Sequence, residues 1–258
     1  MAERLALFGS GGGTTIGEIL TAVDDGRINS RKIIPSVVIA SKLEIGAIKK
    51  AREHGVPFEV VDPQDFKGLD GVIDREALGQ ANKQAMARHG VTVATLNGYT
   101  PRISPIEIDY LGRDAIYNQH PADPRFFGQL YGRQTHAAVL HVSDNIDRNI
   151  VTFATAQRAD VKVDGGSVVL YESLPVPKDD STQQDLTPEE EEQRFIERVQ
   201  KLQRELVLPR EHAVQILLVQ QIGNHSVREV SVPSVIFDNE LSLLAEARNK
   251  AVQLFPRG

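Results

Sequence analysis

The chain has 258 residues, 41% hydrophobic and 25% charged, enough for one α/β domain with an elaboration. Its net charge of −6 and lack of tryptophan argue against a nucleic-acid partner, and the absence of cysteine excludes disulfides, thiolate nucleophiles and thiolate metal sites. No apolar run of about 18 residues occurs, and Met1-Ala-Glu-Arg leads straight into a strand, so no membrane partner and a cytoplasmic location are expected.

Residues 5–9 (LALFG) read as a strand, followed by helical periodicity over 14–25. A second strand is expected at 33–41, then a helix at 45–55 with Gly55 as its cap. A third strand falls at 57–62 and a third helix at 74–89, with further strands at 91–98 and 115–118. Such alternation predicts βαβ units in an α/β protein with a doubly wound, mostly parallel sheet. Right-handed crossovers then gather the ends of the first, fourth and fifth strands along one edge.

The second half is more mixed. Residues 149–156 and 167–176 read as strands flanking the turn signal Val163-Asp-Gly-Gly. Residues 178–193 are polar and acidic. Their four glutamates follow Thr187-Pro188, a helix start whose acids suit the dipole and need no other role. A long helix should run to about residue 207, break near Pro209 and resume to 223. Residues 227–237 should form a terminal hairpin and 240–254 a closing amphipathic helix.

Four stretches carry candidate chemistry. Asn118 and His120, two apart at the end of a strand, share one face, and Pro121 ends the ladder there. In open α/β sheets ligands bind at that carboxyl edge. For an isolated N-x-H-P, a buried pair satisfying loop backbone is the better reading. Gly11, Gly12, Gly13, Thr14 and Thr15 lie between the first strand and the first helix, where free amides and the helix dipole favour a small terminal phosphate. The loop is neither a Walker motif nor a good dinucleotide fingerprint. Tyr99, Thr100, Pro101, Arg102 and Ile103 lie in a turn-rich segment at the end of strand four, a weak signal alone. Asp164 sits in a D-G-G turn; within reach of His120 a carboxylate can orient the ring and raise its pKa. His54 and His89 belong at helix C-termini, and His136, His141 and His225 lack metal-ligand spacing, so no metal is expected.

Taken together, these segments resemble the phosphoribosylglycinamide formyltransferases (glycinamide ribonucleotide transformylases) within the wider formyltetrahydrofolate-dependent formyltransferases. Ser10-Gly-Gly-Gly-Thr-Thr15 is similar to the family's phosphate loop and LNGYTPRISP (96–105) to its folate-pocket segment. Asn118, His120 and Pro121 match its NxHP, Asp164 its DxG aspartate, and Glu211-His212 a late pair whose glutamate contacts the ribonucleotide. Phe127-Gly128, Tyr131-Gly132 and His136-Ala-Ala-Val resemble a loop of some members.

The resemblance implies a Rossmann-like formyltransferase fold over 1–223, with 1–115 a phosphate-binding half. Residues 116–223 would be a catalytic and folate half carrying the acidic insertion at about 178–193, and 224–258 an extension packed on the same domain. It implies transfer of a formyl group from 10-formyltetrahydrofolate to glycinamide ribonucleotide, with Asn118, His120 and Asp164 catalytic, and no metal. Pro121 and Glu211 would contact the ribonucleotide, and Tyr99–Ile103 the folate. The protein would be a monomer or homodimer. Another amine acceptor (an amino-sugar nucleotide or, less favoured, an aminoacylated tRNA), hydrolysis of formyltetrahydrofolate, or binding without catalysis stay open. Departures from the family pattern bear on that choice: Ala122-Asp-Pro-Arg125 brings both charge signs after the motif, and Pro101, Gln119 and Gln157 replace the usual residues.

Overall fold

In the computed structural model, residues 1–179 and 186–258 are described. The apolar run at the start forms β1 (Glu3–Gly9), buried from Leu5 onward. It pairs in parallel with β2 (Ile33–Ala40) on one side and β4 (Val93–Leu96) on the other. β3 (Phe58–Val60) extends the sheet beyond β2, and β5 (Ile116–His120) extends it beyond β4, both in parallel. With β6 (Val151–Arg158) and β7 (Val168–Pro175) the order is β3-β2-β1-β4-β5-β6-β7. β6 runs against β5, since Ala159 N bonds Ile116 O at 2.8 Å while the Thr155 hydroxyl bonds His120 O at 3.0 Å. β7 runs against β6, through Arg158 N to Ser167 O at 2.9 Å and Val176 N to Ile150 O at 3.0 Å. The sheet is therefore parallel at its centre and mixed at the late edge, as the spacing of apolar runs predicts.

The helices among the described residues are, in order, α1 (Thr14–Asp24), α2 (Gly46–Glu53), α3 (Arg75–Arg88), α4 (Pro105–Leu111) and α5 (Pro124–Phe127). They continue with α6 (Arg133–Asp144), α7 (Pro188–Lys201), α8 (Leu208–Gly223) and α9 (Leu241–Leu254). Their starts follow local chemistry. Asp74 accepts the Glu76 and Ala77 amides at 3.0 Å, and Ser104/Glu107 and Thr187/Glu190 form capping boxes. Such a cap contributes about 1 kcal/mol. Residues 202–207 are wound as a π-helix ahead of Pro209, which has no N–H and crowds the preceding turn. The break expected near that proline is thus a widening of the helix.

Two compact units are assembled from this connectivity. The first comprises Met1–Gln119, Ala156–Leu170 and His212–Val230. Its core joins Ala6 and Phe8 of β1 and Val37 and Ile39 of β2 to Leu78, Ala85 and Met86 of α3 and Ile108 of α4. Leu5 and Leu7 alternate to the opposite face of the strand, and α1 buries Ile16, Ile19 and Leu20. Each such apolar side chain contributes about 1.5–3 kcal/mol on burial. The second unit comprises His120–Thr155, Tyr171–Glu211 and Ser231–Gly258. There Phe153 meets Tyr171 edge to face, and α6 packs on α9 through small residues such as Ala247 and Ala251.

β5 runs through His120 and stops before Pro121, as the proline requires, two residues beyond the apolar run at 115–118. One expectation needs correction. Residues 227–237 form no hairpin. Pro233 cannot donate to a ladder, and the stretch is held instead by isolated bonds such as Val230 N to Val168 O at 2.9 Å. Of the acidic stretch 178–193, residues 180–185 lie outside the described residues, and its glutamates open α7. No helix among the described residues is long and apolar enough to cross a membrane.

Glycines decide how closely α2 approaches the first loop. A Cβ at Gly46 would overlap the carbonyl of Gly12, whereas one at Gly55, also a helix-end glycine with φ of +65°, would meet nothing within 4 Å. Gly46→Ala is therefore expected to cost about 2–4 kcal/mol and Gly55→Ala only about 1–2 kcal/mol, read from denaturant midpoints. Equal losses would contradict the packing argument.

Candidate active site

β1 delivers the chain to Gly9, where a side chain would press on Ile16 of α1, and the backbone then turns through Gly13 at φ +65°. Gly13 lies against Ala47 at the start of α2, so only glycine fits that position. Gly11, Gly12 and Thr14 are exposed at the mouth of the loop, while Thr15 is buried on the inner side of α1. Ser10 braces the loop: its oxygen accepts from the Thr100 amide at 3.0 Å and from the Ser41 hydroxyl at 2.8 Å. On the other flank His212 Nε2 lies 3.3 Å from the Thr14 hydroxyl. Burial pushes the His212 pKa down, against a nearby Glu18, so this ring is neutral at pH 7. His212 was legible only as half of a motif; its place beside Thr14 depends on α8 returning to the loop.

A cleft opens beside the ends of β4 and β5. Leu96, Tyr99, Thr100, Pro101, Arg102 and Ile103 line one side, and Asn118, Gln157 and Val161–Asp164 the other. Tyr99 and Ile103 are buried, while Thr100 and Arg102 are exposed. A polar chain beneath fixes this wall. Asn82 Nδ2 donates to the Tyr99 hydroxyl at 3.2 Å and to Glu107 at 2.9 Å, and Glu107 accepts from the Ser104 amide at 2.9 Å. Burial raises the Tyr99 pKa well above its ordinary value, the Asn82 bond opposing only part of this. Sequence reading missed both the chain and α4, because buried Asn82 and Glu107 look like surface residues on their helices.

Asp164 is the centre of the opposite wall. Its Oδ1 accepts from Asn118 Nδ2 at 3.1 Å and from Gln157 Nε2 at 2.8 Å. The aspartate has left-handed backbone, φ +54°, in a turn where Gly165 N bonds Lys162 O at 2.9 Å. A side chain at Gly166 would overlap the carbonyl of Arg158, so the D-G-G sequence is required by the fold as well as by the site. The structure therefore brings Asn118, Asp164 and the 99–103 segment to one cleft. Gln157, legible only as a departure from a family pattern, is a direct partner of the aspartate.

His120, Pro121 and Glu211 belong to the second unit. His120 is 4% exposed, and the Thr155 hydroxyl bonds both its carbonyl and that of Ala122, at 3.0 and 3.2 Å. Pro121 is half-buried, and Glu211 is buried in the first turn of α8. The charges of Ala122-Asp-Pro-Arg125 are spent internally. Asp123 is buried, caps α5 through the Arg125 amide at 3.0 Å, and holds the Arg125 guanidinium in a two-point pair. His136 is fully buried on α6, with its pKa pushed down to about 3 by burial and further by His120. No cluster of three or more metal-ligating side chains occurs among the described residues.

The fold and the cleft define a class first: a doubly wound α/β protein whose polar groups gather at the carboxyl ends of β1, β4 and β5. Residues 3–205 match the formyl transferase family model, and the chain belongs to that family. Among curated proteins it is 28% identical over 207 residues to the chloroplastic phosphoribosylglycinamide formyltransferase of Arabidopsis thaliana, covering 80% of this chain and 64% of that protein. The chloroplastic enzyme of the same name from Vigna unguiculata is 26% identical over 220 residues, covering 83% and 65%. The chain thus spans just under two thirds of the length of these relatives. Of solved structures, glycinamide ribonucleotide transformylase 1 from Symbiobacterium toebii superposes with a TM-score of 0.68 at 20% identity, covering 89% of this chain and 95% of that one. Phosphoribosylglycinamide formyltransferase from Brucella melitensis gives 0.64 at 21%, covering 89% and 100%. At that identity the structural likeness speaks for the fold.

The burial of His136 has a pH consequence. Its native pKa lies below the 6.5 of a free imidazole, so the unfolded chain binds a proton that the native state refuses. The stability it leaves intact above pH 6.5 is lost as pH falls toward 3. His136→Gln should flatten the acid side of the melting-temperature profile between pH 6.5 and about 4; parallel profiles for parent and variant would refute this.

Proposed function

We propose that the chain transfers a formyl group from 10-formyltetrahydrofolate to the amine of glycinamide ribonucleotide, a step of de novo purine biosynthesis. The observation that carries this reading is the Asn118–Asp164 hydrogen bond on the wall of the cleft. An Asn carboxamide has two N–H donors. One is engaged by Asp164, which fixes the amide plane, and the second is left to the oxygen of the formyl group as it becomes an oxyanion. In this reading His120, two residues along the same strand, stabilises the same oxyanion as a cation and assists proton movement. Asp164 keeps that imidazole charged and organises a water.

The amine nitrogen attacks the formyl carbon, and the bond from that carbon to the folate nitrogen breaks. The proton lost by the amine passes through the water to the leaving nitrogen. No covalent bond to the enzyme is required. Leu96, Tyr99 and Ile103 on the wall of the cleft suit a flat heterocycle. The Gly11–Thr15 loop supplies amides for a ribonucleotide phosphate, and Pro121 and Glu211 contact the same substrate. The names of the curated relatives support this choice of acceptor. The reading further puts the protein in the cytoplasm, as a monomer or homodimer.

Purified chain supplied with both substrates should form tetrahydrofolate, followed by absorbance. Asn118→Ala is expected to lower kcat about 10²- to 10³-fold, the usual loss of an oxyanion donor. Undiminished turnover in Asn118→Ala or His120→Ala would remove the mechanism. Formate release without an amine would instead indicate hydrolysis, and turnover only with an amino-sugar nucleotide would indicate another acceptor.

A further inference from the structure

Residues 231–258 lie beyond the matched family segment, which ends at 205, yet they grip the stretch that follows His120. Arg248 on α9 donates through Nη1 to Phe126 O at 2.8 Å and through Nη2 to Gly128 O at 3.0 Å. Arg125 reaches back to Pro233 O at 3.0 Å. Gln134 Nε2 donates to Phe255 O at 2.8 Å, and the Arg133 guanidinium lies 4.7 Å from the centroid of the Phe255 ring. Phe255 is itself buried, and so are Leu244, Ala247 and Ala251 on the inner face of α9.

The gripped stretch buries Ala122, Asp123, Phe127 and Leu130 but has little regular secondary structure of its own. α5 is four residues long, well short of a self-supporting helix. Gln129 takes left-handed backbone at φ +68°, which costs a non-glycine residue and persists only where surroundings impose it. At its start, the Thr155 hydroxyl pins the carbonyls of His120 and Ala122. At its end, α6 packs on α9. Between these points the carbonyls of Phe126 and Gly128 depend on one guanidinium.

We infer that residues 231–258 are a strut for the 122–132 stretch and that Arg248 is a positioning residue for formyl transfer, acting through the backbone that leads from His120. The positioning role rests on the function proposed above; the strut does not. A charged two-point donor is worth more than two neutral bonds, so its loss should free the stretch without unfolding α9.

The test uses the full chain and two variants, read by amide hydrogen exchange with mass spectrometry and by steady-state formyl transfer. Arg248→Met keeps the aliphatic stem and should speed exchange across 124–132 about tenfold or more, while the amides of α6 and α9 keep their protection. Its kcat should fall about tenfold, with KM for both substrates within about twofold of the parent. Arg248→Lys, able to serve one carbonyl at a time, should restore part of both. Exchange at the parental rate across 124–132 in Arg248→Met overturns the strut. Faster exchange with kcat unchanged, or with a rise in KM alone, overturns the positioning role. If Arg248→Met loosens α9 as well, the lysine variant decides: protection and kcat recovering together support the inference, and protection recovering alone defeats it. A parent chain that forms no tetrahydrofolate defeats the proposed function and with it the positioning role, while the exchange arm still decides the strut.

Discussion

Asn118 from β5 and Gln157 from β6 donate to the same oxygen of Asp164, at 3.1 and 2.8 Å, and the cleft wall depends on that convergence. Gln157 is almost fully buried, with no partner for its own carbonyl oxygen among the described residues, an arrangement that costs about 1–3 kcal/mol. Asp164 adds a left-handed backbone held by a turn in which Gly166 tolerates no side chain. The fold accepts both costs and obtains in return a carboxylate and a carboxamide whose orientations are mutually determined. In a low-dielectric setting, a polar group fixed in advance need not reorganise when charge develops near it.

The facing wall uses the same device further from the cleft. Tyr99 is placed by Asn82, Asn82 by Glu107, and Glu107 by the capping box that starts α4. A side chain at Gly79 would overlap the Ser104 hydroxyl, so α3 can approach that box only because residue 79 is glycine. The Gly11–Thr15 loop is fixed in turn by close contact with α2 and by Ser10, which ties it to the amide of Thr100. The loop and the 99–103 segment are thereby one connected piece of structure.

Most of the sheet was readable because β1, β2 and β4 are apolar runs of strand length separated by amphipathic helices, a pattern few other folds produce. The strand end that carries Asn118 and His120 was readable from Pro121, and the turn that carries Asp164 from Gly165-Gly166. Other features were hidden for physical reasons. α6 buries Gln134, Thr135, His136 and Ser143, so its inner face does not look apolar. The alternating valines of 227–237 imitate a hairpin, but Pro233 interrupts any ladder and its carbonyl goes to Arg125. The two charges in 122–125 pointed toward substrate only until their three-dimensional partners were known. Asp123 and Arg125 satisfy each other.

Charge economy around His120 follows from the same packing. The proposed chemistry asks His120 to carry a positive charge, and a second cation nearby would oppose it. His136 is close enough for the two imidazoles to repel when both are protonated, and burial already keeps His136 neutral down to about pH 3. A neutral His136 adds no opposing charge beside His120 over the working range of an enzyme. A polar residue that looks misplaced in a helix core thus keeps a second cation away from its neighbour by staying buried.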